Sequence, residues 1–274
     1  MKQEQLFADL HIHTTNSDGT FNIENVPTVA KEEYNLSAIA ITDHDTIQPT
    51  LNKPLTVING IDVIHGIELR VEVPELGDRI DILGYGVEKT DELINLTEKI
   101  QENRKERARI MIERVENELD ITLDIEPTKS TGRPHIARAI DENEDSGYSY
   151  NESFKYVIGN DCSCYLSRDV PEFNQGVQVL KNSCHSVVLA HPYRYENPSE
   201  ALKLVSKLDG VECDYSYSNP PAKNNAYKTA QNSNKIKTGG SDAHEETLSK
   251  AGLTQKEYIE FLNKSGLYHL SENV

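Results

Sequence analysis

Short apolar runs in this chain end, again and again, in histidine and carboxylate. The first run, Leu6-Phe7-Ala8-Asp9-Leu10-His11-Ile12-His13, alternates around Leu10 and Ile12, so a strand here points His11 and His13 in one direction. Residues 36–42 form an apolar run closed by Asp43-His44-Asp45, the pattern of a buried parallel strand that delivers polar groups at its carboxyl end. Residues 57–68, interrupted by Asn59-Gly60, and residues 79–85 read as two more strands. Residues 186–190 run into His191-Pro192, and 210–213 form a further strand. The last, 235–238, ends in Gly239-Gly240-Ser241-Asp242-Ala243-His244. Helical patterns fall between these runs, one opened by Asn25-Val26-Pro27 and others near 172–182, 198–208 and 221–231. Strands alternating with helices, with chemistry gathered at strand ends, predict an α/β barrel or an open α/β sheet.

The alternation breaks in the middle. Residues 91–119 predict a long charged helix that buries Leu93, Leu96, Ile100, Ile110, Val115 and Leu119. Arg104, Arg107 and Arg109 cluster on it, and a solvated face is the expected place for such charge. Gly132-Arg133-Pro134-His135 opens another helix, and 141–147 is acidic and turn-like. A length of 274 residues suits one large barrel domain. The expected organisation is a barrel from 1–99 and 169–274, with a small helical insertion, 100–168, capping its mouth.

Charge and composition narrow the partners. With 45 acidic against 28 basic residues the net charge is -17, which argues against a surface for extended duplex nucleic acid. A nucleotide in a local basic pocket remains compatible with it. Met1-Lys2-Gln3-Glu4-Gln5 contains no apolar leader and no stretch reaches the length of a bilayer, so a cytoplasmic protein with no membrane partner is expected. The four cysteines, Cys162, Cys164, Cys184 and Cys213, are too few for a disulfide framework and are expected to be reduced.

Collected at the expected ends of these strands and loops are His11, His13, Asp18, Asp43, His44, Glu68, His135, His191, Asp242 and His244. Six of the chain's nine histidines belong to this set, and its other members are all carboxylates. Imidazole mixed with carboxylate suits zinc, manganese or iron, with no thiolate to select a softer ion. The candidates outnumber the ligands of one tetrahedral ion. A cluster of two or three divalent metals is therefore expected, with Glu68 as the natural bridge.

Seven motifs, Asp-Leu-His-Ile-His-Thr, Ser-Asp-Gly-Thr, Ile-Thr-Asp-His-Asp, Gly-Ile-Glu, Gly-Arg-Pro-His, Ala-His-Pro and Gly-Ser-Asp-Ala-His, follow one another from Asp9 to His244. In this order they resemble the PHP family, the polymerase and histidinol phosphatase metal-dependent phosphoesterases. The resemblance implies a distorted (β/α)7 TIM-like barrel. It implies one metal on His11, His13, Glu68 and Asp242, a second on Glu68, His135 and His191, and a third on Asp18, His44 and His244. Gly-Arg-Pro-His inside an inserted helical region, with His-Pro-Tyr-Arg later, is most similar to the branch that hydrolyses nucleoside monophosphates, 3′,5′-nucleoside bisphosphates or the 5′ ends of short RNA. The expected chemistry is hydrolysis by metal-activated water, with Arg194 first, and Arg133 and Arg168 beside it, as phosphate-binding cations. Histidinol-phosphate phosphatase and a non-catalytic metal-stabilised module are the alternatives. The Gly-Arg-Pro-His insertion counts against the former and the full set of ligand types against the latter. His65, His185 and His269 are expected to be ordinary histidines.

Overall fold

The apolar runs become the strands of one curled sheet in a computed structural model that describes residues 5–216, 220–245 and 247–273. The polar N-terminal residues 1–4 lie outside the described residues. The chain divides into two units: Met1–Asn95 with Pro171–Val274, and Leu96–Val170. No described helix is long and apolar enough to cross a membrane.

The first unit contains β1 (Ala8–Ile12), β2 (Ala38–Ile41), β3 (Leu55–Ile58), β4 (Ile61–Val73), β5 (Asp78–Val87), β6 (Cys184–Leu189), β7 (Gly210–Asp214) and β8 (Ile236–Gly239). Their order is β1-β2-β4-β5-β6-β7-β8, with β3 paired to β4 off this path. The interrupted run 57–68 is a hairpin. Asn59 and Gly60 both take positive φ (54° and 77°), as a two-residue turn between twisted strands requires. Pairs β1/β2, β2/β4, β6/β7 and β7/β8 are parallel, whereas β4/β5 and β5/β6 are antiparallel. That antiparallel excursion is the distortion in the barrel. A hairpin at 74–77 takes the place of the helical crossover that a parallel connection needs.

The sheet curls until its first and last strands meet. His13 N–H donates to the Ala243 carbonyl at 2.9 Å, and Ala243 N–H to the His11 carbonyl at 3.2 Å. Gly240 is needed here, because a Cβ on it would stand 2.4 Å from the His11 nitrogen. Alternation along β2 divides its side chains between two cores. Ala38 and Ala40 join Tyr85, Val188 and Phe261, while Ile39 and Ile41 pack with Val26 and Ala30 of α1 (Val26–Glu32). Helices α5 (Phe173–Ser183), α6 (Pro198–Lys203) and α7 (Pro220–Asn232) form close to their expected places. A further helix, α8 (Gln255–Ser265), was not expected. Thr254 and Glu257 form its capping box, Gly266 ends it at φ 75°, and it buries Tyr258, Phe261 and Leu262.

The second unit holds most of α2 (Asp91–Leu119), with α3 (Arg133–Asp141) and α4 (Tyr150–Tyr156). Met111, Ile112 and Val115 of α2 pack with Ile136, Ala137 and Ile140 of α3. Leu93, Ile100 and Val115 are buried as expected, and Leu96 and Leu119 are half-buried. Ile110 is only half-buried; Met111 and Ile112 supply the contacts expected of it. The solvated face expected for the arginines is also corrected. Arg104 and Arg107 are only 6% and 8% exposed, and Arg109 alone of the three is at the surface.

Asp9 ties β1 to the segment that follows β8. Its fully buried carboxylate accepts from Ser241 N–H (2.9 Å), the Ser241 hydroxyl (2.6 Å) and Ser249 N–H (2.9 Å). Removing it orphans these donors, each worth about 1–3 kcal/mol when buried and unpaired. Asp9→Ala is expected to cost about 3 kcal/mol or more in urea unfolding; a loss below about 1 kcal/mol contradicts this role for Asp9.

Candidate metal centre

Glu68, on β4, sits among four imidazoles. Its Oε1 lies 2.9 Å from His191 Nε2 and 3.4 Å from His11 Nε2; its Oε2 lies 2.8 Å from His44 Nδ1 and 3.3 Å from His13 Nε2. The strand pattern explains the convergence. His11 belongs to β1 and His13 follows it, with ring centroids 5.2 Å apart, so both face the same way. His44 follows β2, His191 follows β6, and Asp242 and His244 follow β8, each at a carboxyl end. Asp242 Oδ1 is 3.1 Å from His13 Nε2 and 3.4 Å from His11 Nε2. Asp18 Oδ1 is 3.4 Å from His244 Nε2, and Asp18 Oδ2 is 3.9 Å from His44 Nε2.

These side chains make three groups able to hold a cation: His11, His13, Glu68 and Asp242; His13, Asp18, His44 and His244; and Glu68, Asp81 and His191. Glu68 and His13 each belong to two of them. The first and third are closed in, while His44, Asp18 and His244 have side chains 14%, 29% and 33% exposed, giving the second an open side. The residues fit metal ions on their own geometry. His11 Nε2, His44 Nδ1 and Glu68 Oε2 are buried and make no hydrogen bond, although each has an opposite partner close by. Buried polar atoms left this way are costly unless another species accepts them.

Electrostatics points the same way. Burial opposes a charged His44, yet the Glu68 carboxylate pushes its imidazole up to about 9. Burial also opposes a charged Asp242, but His11 and His13 hold its carboxyl well below the ordinary range. The Asp242 carboxylate is thus ionised, and protons on His11 and His44 supply positive charge that a metal would replace, while burial and the neighbouring His44 push the His13 imidazole down.

Surrounding residues fix these groups. Asp43, collected with the candidates, is a brace: it accepts from Thr14 N–H (2.7 Å), the Thr14 hydroxyl (2.7 Å) and the Ser17 hydroxyl (2.8 Å), holding the loop that carries Asp18. Gly19 lets that loop close on His13, whose carbonyl oxygen would stand 2.2 Å from a Cβ. His191 (φ 22°) and Asp242 (φ 54°) both adopt positive φ, a strained or sparsely used backbone that aims a functional side chain.

Two carboxylates escaped the sequence reading. Asp81 on β5 has Oδ2 3.8 Å from His191 Nε2, and Arg70 grips it in a bidentate pair at 2.7 and 2.6 Å. Glu212 on β7 is fully buried and reaches two candidates: Oε1 is 2.9 Å from His11 Nδ1, and Oε2 accepts from His191 N–H at 2.8 Å. A proton on His11 Nδ1 donated to Glu212 would leave Nε2 as the nitrogen free to ligate a metal. An acidic residue inside the otherwise apolar run 210–213 was the available signal for Glu212.

Arg194 is drawn to the same place: its Nη1 donates to Asp242 Oδ2 at 2.8 Å, while its side chain stays 54% exposed. His135, Arg133 and Arg168 belong to the second unit. His135 is the third residue of α3, where Nδ1 accepts from Gly132 N–H at 3.1 Å, and it is in none of the three groups; Asp81 is the third member of the group with Glu68 and His191.

The sequence profile of the PHP domain matches residues 9–238. Among curated proteins, the chain is 27% identical to the phosphoribosyl 1,2-cyclic phosphate 1,2-diphosphodiesterase of Eggerthella lenta, over 76% of this chain and 82% of that one. It is 27% identical to the 5′-3′ exoribonuclease Rnm of Escherichia coli, over 86% of this chain and 85% of that one. Among solved structures, a Bifidobacterium adolescentis protein described as a metal-dependent phosphoesterase superposes with a TM-score of 0.74 at 22% identity, covering 94% of this chain and 96% of its own. A Chromobacterium violaceum protein described as an amidohydrolase gives 0.72 at 20% identity, with the same coverage. At these identities the two structures establish the fold, which is the expected distorted TIM-like barrel.

Glu212→Gln tests the brace behind the centre. An amide has one accepting oxygen for the two donors that Glu212 serves, so His11 or His191 loses its support. Affinity for a divalent ion, measured by chelator competition, is expected to fall about 10- to 100-fold. Unchanged affinity contradicts the assignment.

Proposed function

The chain belongs to the PHP domain family, and from that premise we propose that it removes phosphate from small nucleotides: nucleoside monophosphates, 3′,5′-nucleoside bisphosphates or the 5′ ends of short RNA. The broad class is a metal-dependent hydrolase of phosphate esters. The observation that carries the finer reading is Glu68, one carboxylate facing four imidazoles, with the Arg194 guanidinium hydrogen-bonded to Asp242 beside it.

In this reading His11, His13, Glu68 and Asp242 hold one divalent ion. Asp18, His44 and His244, with His13 behind them, hold another, and Glu68, His191 and Asp81 serve a third. Bound there, manganese, iron or zinc would acidify a water to a nucleophile at neutral pH and place positive charge beside the phosphoryl oxygens. Arg194 binds the phosphate. One of its nitrogens is committed to Asp242, and the rest of the planar fork, on a half-exposed side chain, matches phosphate oxygens. Tyr215 positions it: the Tyr215 hydroxyl donates to Asp242 Oδ2 at 3.0 Å and accepts from Arg194 at 3.2 Å.

Support for a ribose-phosphate substrate comes from the two curated relatives, whose names describe a phosphoribosyl cyclic phosphate and RNA. The net charge of -17 disfavours long polyanions and favours small ones.

Phosphate release by the manganese-loaded protein from AMP, a 3′,5′-nucleoside bisphosphate, a 5′-phosphorylated short RNA and histidinol phosphate separates the readings. Turnover of at least one nucleotide substrate is expected, reduced about 100-fold or more in His44→Ala. Arg194→Ala is expected to raise KM or lower kcat with metal content unchanged. Turnover of histidinol phosphate alone, or of none of the four with metals bound, contradicts the proposal.

A further inference from the structure

The carboxylates of the three ligand groups are not equally free. In the first group Asp242 divides its oxygens. Its Oδ1 faces His13 at 3.1 Å and His11 at 3.4 Å, while its Oδ2 accepts from Arg194 at 2.8 Å and from Tyr215 at 3.0 Å. One oxygen is thus left to the imidazoles. Asp81, in the group with Glu68 and His191, keeps neither oxygen back. Arg70 Nε donates to its Oδ1 at 2.7 Å and Arg70 Nη2 to its Oδ2 at 2.6 Å, whereas His191 Nε2 stands 3.8 Å from Oδ2.

The sheet makes this pairing. Arg70 lies two residues after Glu68 on β4, so alternation turns both side chains to one face. In the antiparallel register of β4 and β5, Arg70 is directly opposite Asp81. The backbone is held on each side: Arg70 N–H donates to Asp45 Oδ1 at 3.0 Å, and Asp81 N–H to the Tyr195 hydroxyl at 2.9 Å. The Asp81 side chain is 2% exposed, so its charge needs a cation beside it, and Arg70 supplies one. The Arg70 side chain itself is 35% exposed. A guanidinium open to water on one side gives up its partner at lower cost than a fully buried one. A divalent ion entering this group has to take an Asp81 oxygen from Arg70, and it meets a full positive charge on the same carboxylate.

We propose that Arg70 is a resident counter-ion that competes for Asp81, so that Glu68, Asp81 and His191 fill with a divalent ion last and empty first. Two ions then bind firmly and the third exchanges. Arg70 is a positioning residue here, acting on the ion through Asp81. Its role rests on the three-group reading of the centre proposed above and not on the substrate.

Equilibrium dialysis of the full-length protein against manganese buffered at graded free concentrations, with ions per chain counted by plasma mass spectrometry, tests this. In the wild type a third ion is expected only at a free concentration about 10-fold or more above that which fills the other two. Arg70→Gln removes the charge and is expected to move the third step down about 10-fold or more, with the first two in place. Arg70→Lys keeps the charge without the fork and is expected to fall between. Melting temperature supplies a second readout. Without metal, Arg70→Gln leaves Asp81 buried and unpaired, so it is expected to melt below the wild type and to gain more from manganese than the wild type does. An arginine that only braces the fold would lower the melting temperature equally with and without manganese. A third ion seen in Arg70→Gln alone also supports the role. Three ions filling together in the wild type, or a third step unmoved or weakened in Arg70→Gln, overturns it and leaves the three-group centre standing. Fewer than three ions in every protein overturns both. The wild-type titration keeps the role refutable if the variants do not fold.

Discussion

Four imidazoles around one buried carboxylate set the terms for everything else in the first unit. Glu68 has two oxygens, and each faces two histidines from different strands or strand ends. No strand supplies this arrangement by itself. It exists because β1, β2, β4 and β6 bring their polar ends to a common side of a curled sheet. The barrel must therefore close accurately. Closure depends on small and charged residues at the seam: Gly240 allows the segment after β8 to touch His11, and Asp9 fastens that segment to β1. One break in the seam displaces Asp242 and His244 together.

Behind the imidazoles stands a second layer of carboxylates with different work. Glu212 supports His11 and the His191 backbone, and Asp43 supports the loop carrying Asp18. A negative interior of this kind demands positive charge, and protons on His11 and His44 supply part of it. The acidity of the chain as a whole is thus matched by a local demand for positive charge, met in the first unit by imidazole, Arg70 and Arg194. In the second unit the guanidiniums of Arg107 and Arg133 pack on the Tyr165 ring.

Much of the first unit was legible because each strand announces its end. His11, His13, His44, His191, Asp242 and His244 each follow or close an apolar run, and the structure brings them together with Glu68 and Asp18. The hairpin at Asn59-Gly60 was visible as an interruption but not as a reversal, because an apolar run carries no direction. Glu212 and Asp81 were missed for a related reason: a carboxylate inside a strand acts through partners that only the fold supplies. Helix α8 was written in Thr254, Glu257 and Gly266, a capping signal that lies beyond the last chemical motif. Arg104 and Arg107 were misread because charge on an amphipathic helix resembles a solvated face until the packing of α3 and Tyr165 is known.

The central claim is that Glu68 joins neighbouring metal sites into one centre. Metal content per chain, measured by plasma mass spectrometry after loading with manganese and desalting, tests it directly in the wild type and in Glu68→Gln. The three ligand groups, two of them sharing Glu68, predict two or three ions in the wild type and one at most in the variant. A wild type that retains one ion or none, or a variant that retains the full wild-type number, would contradict the account.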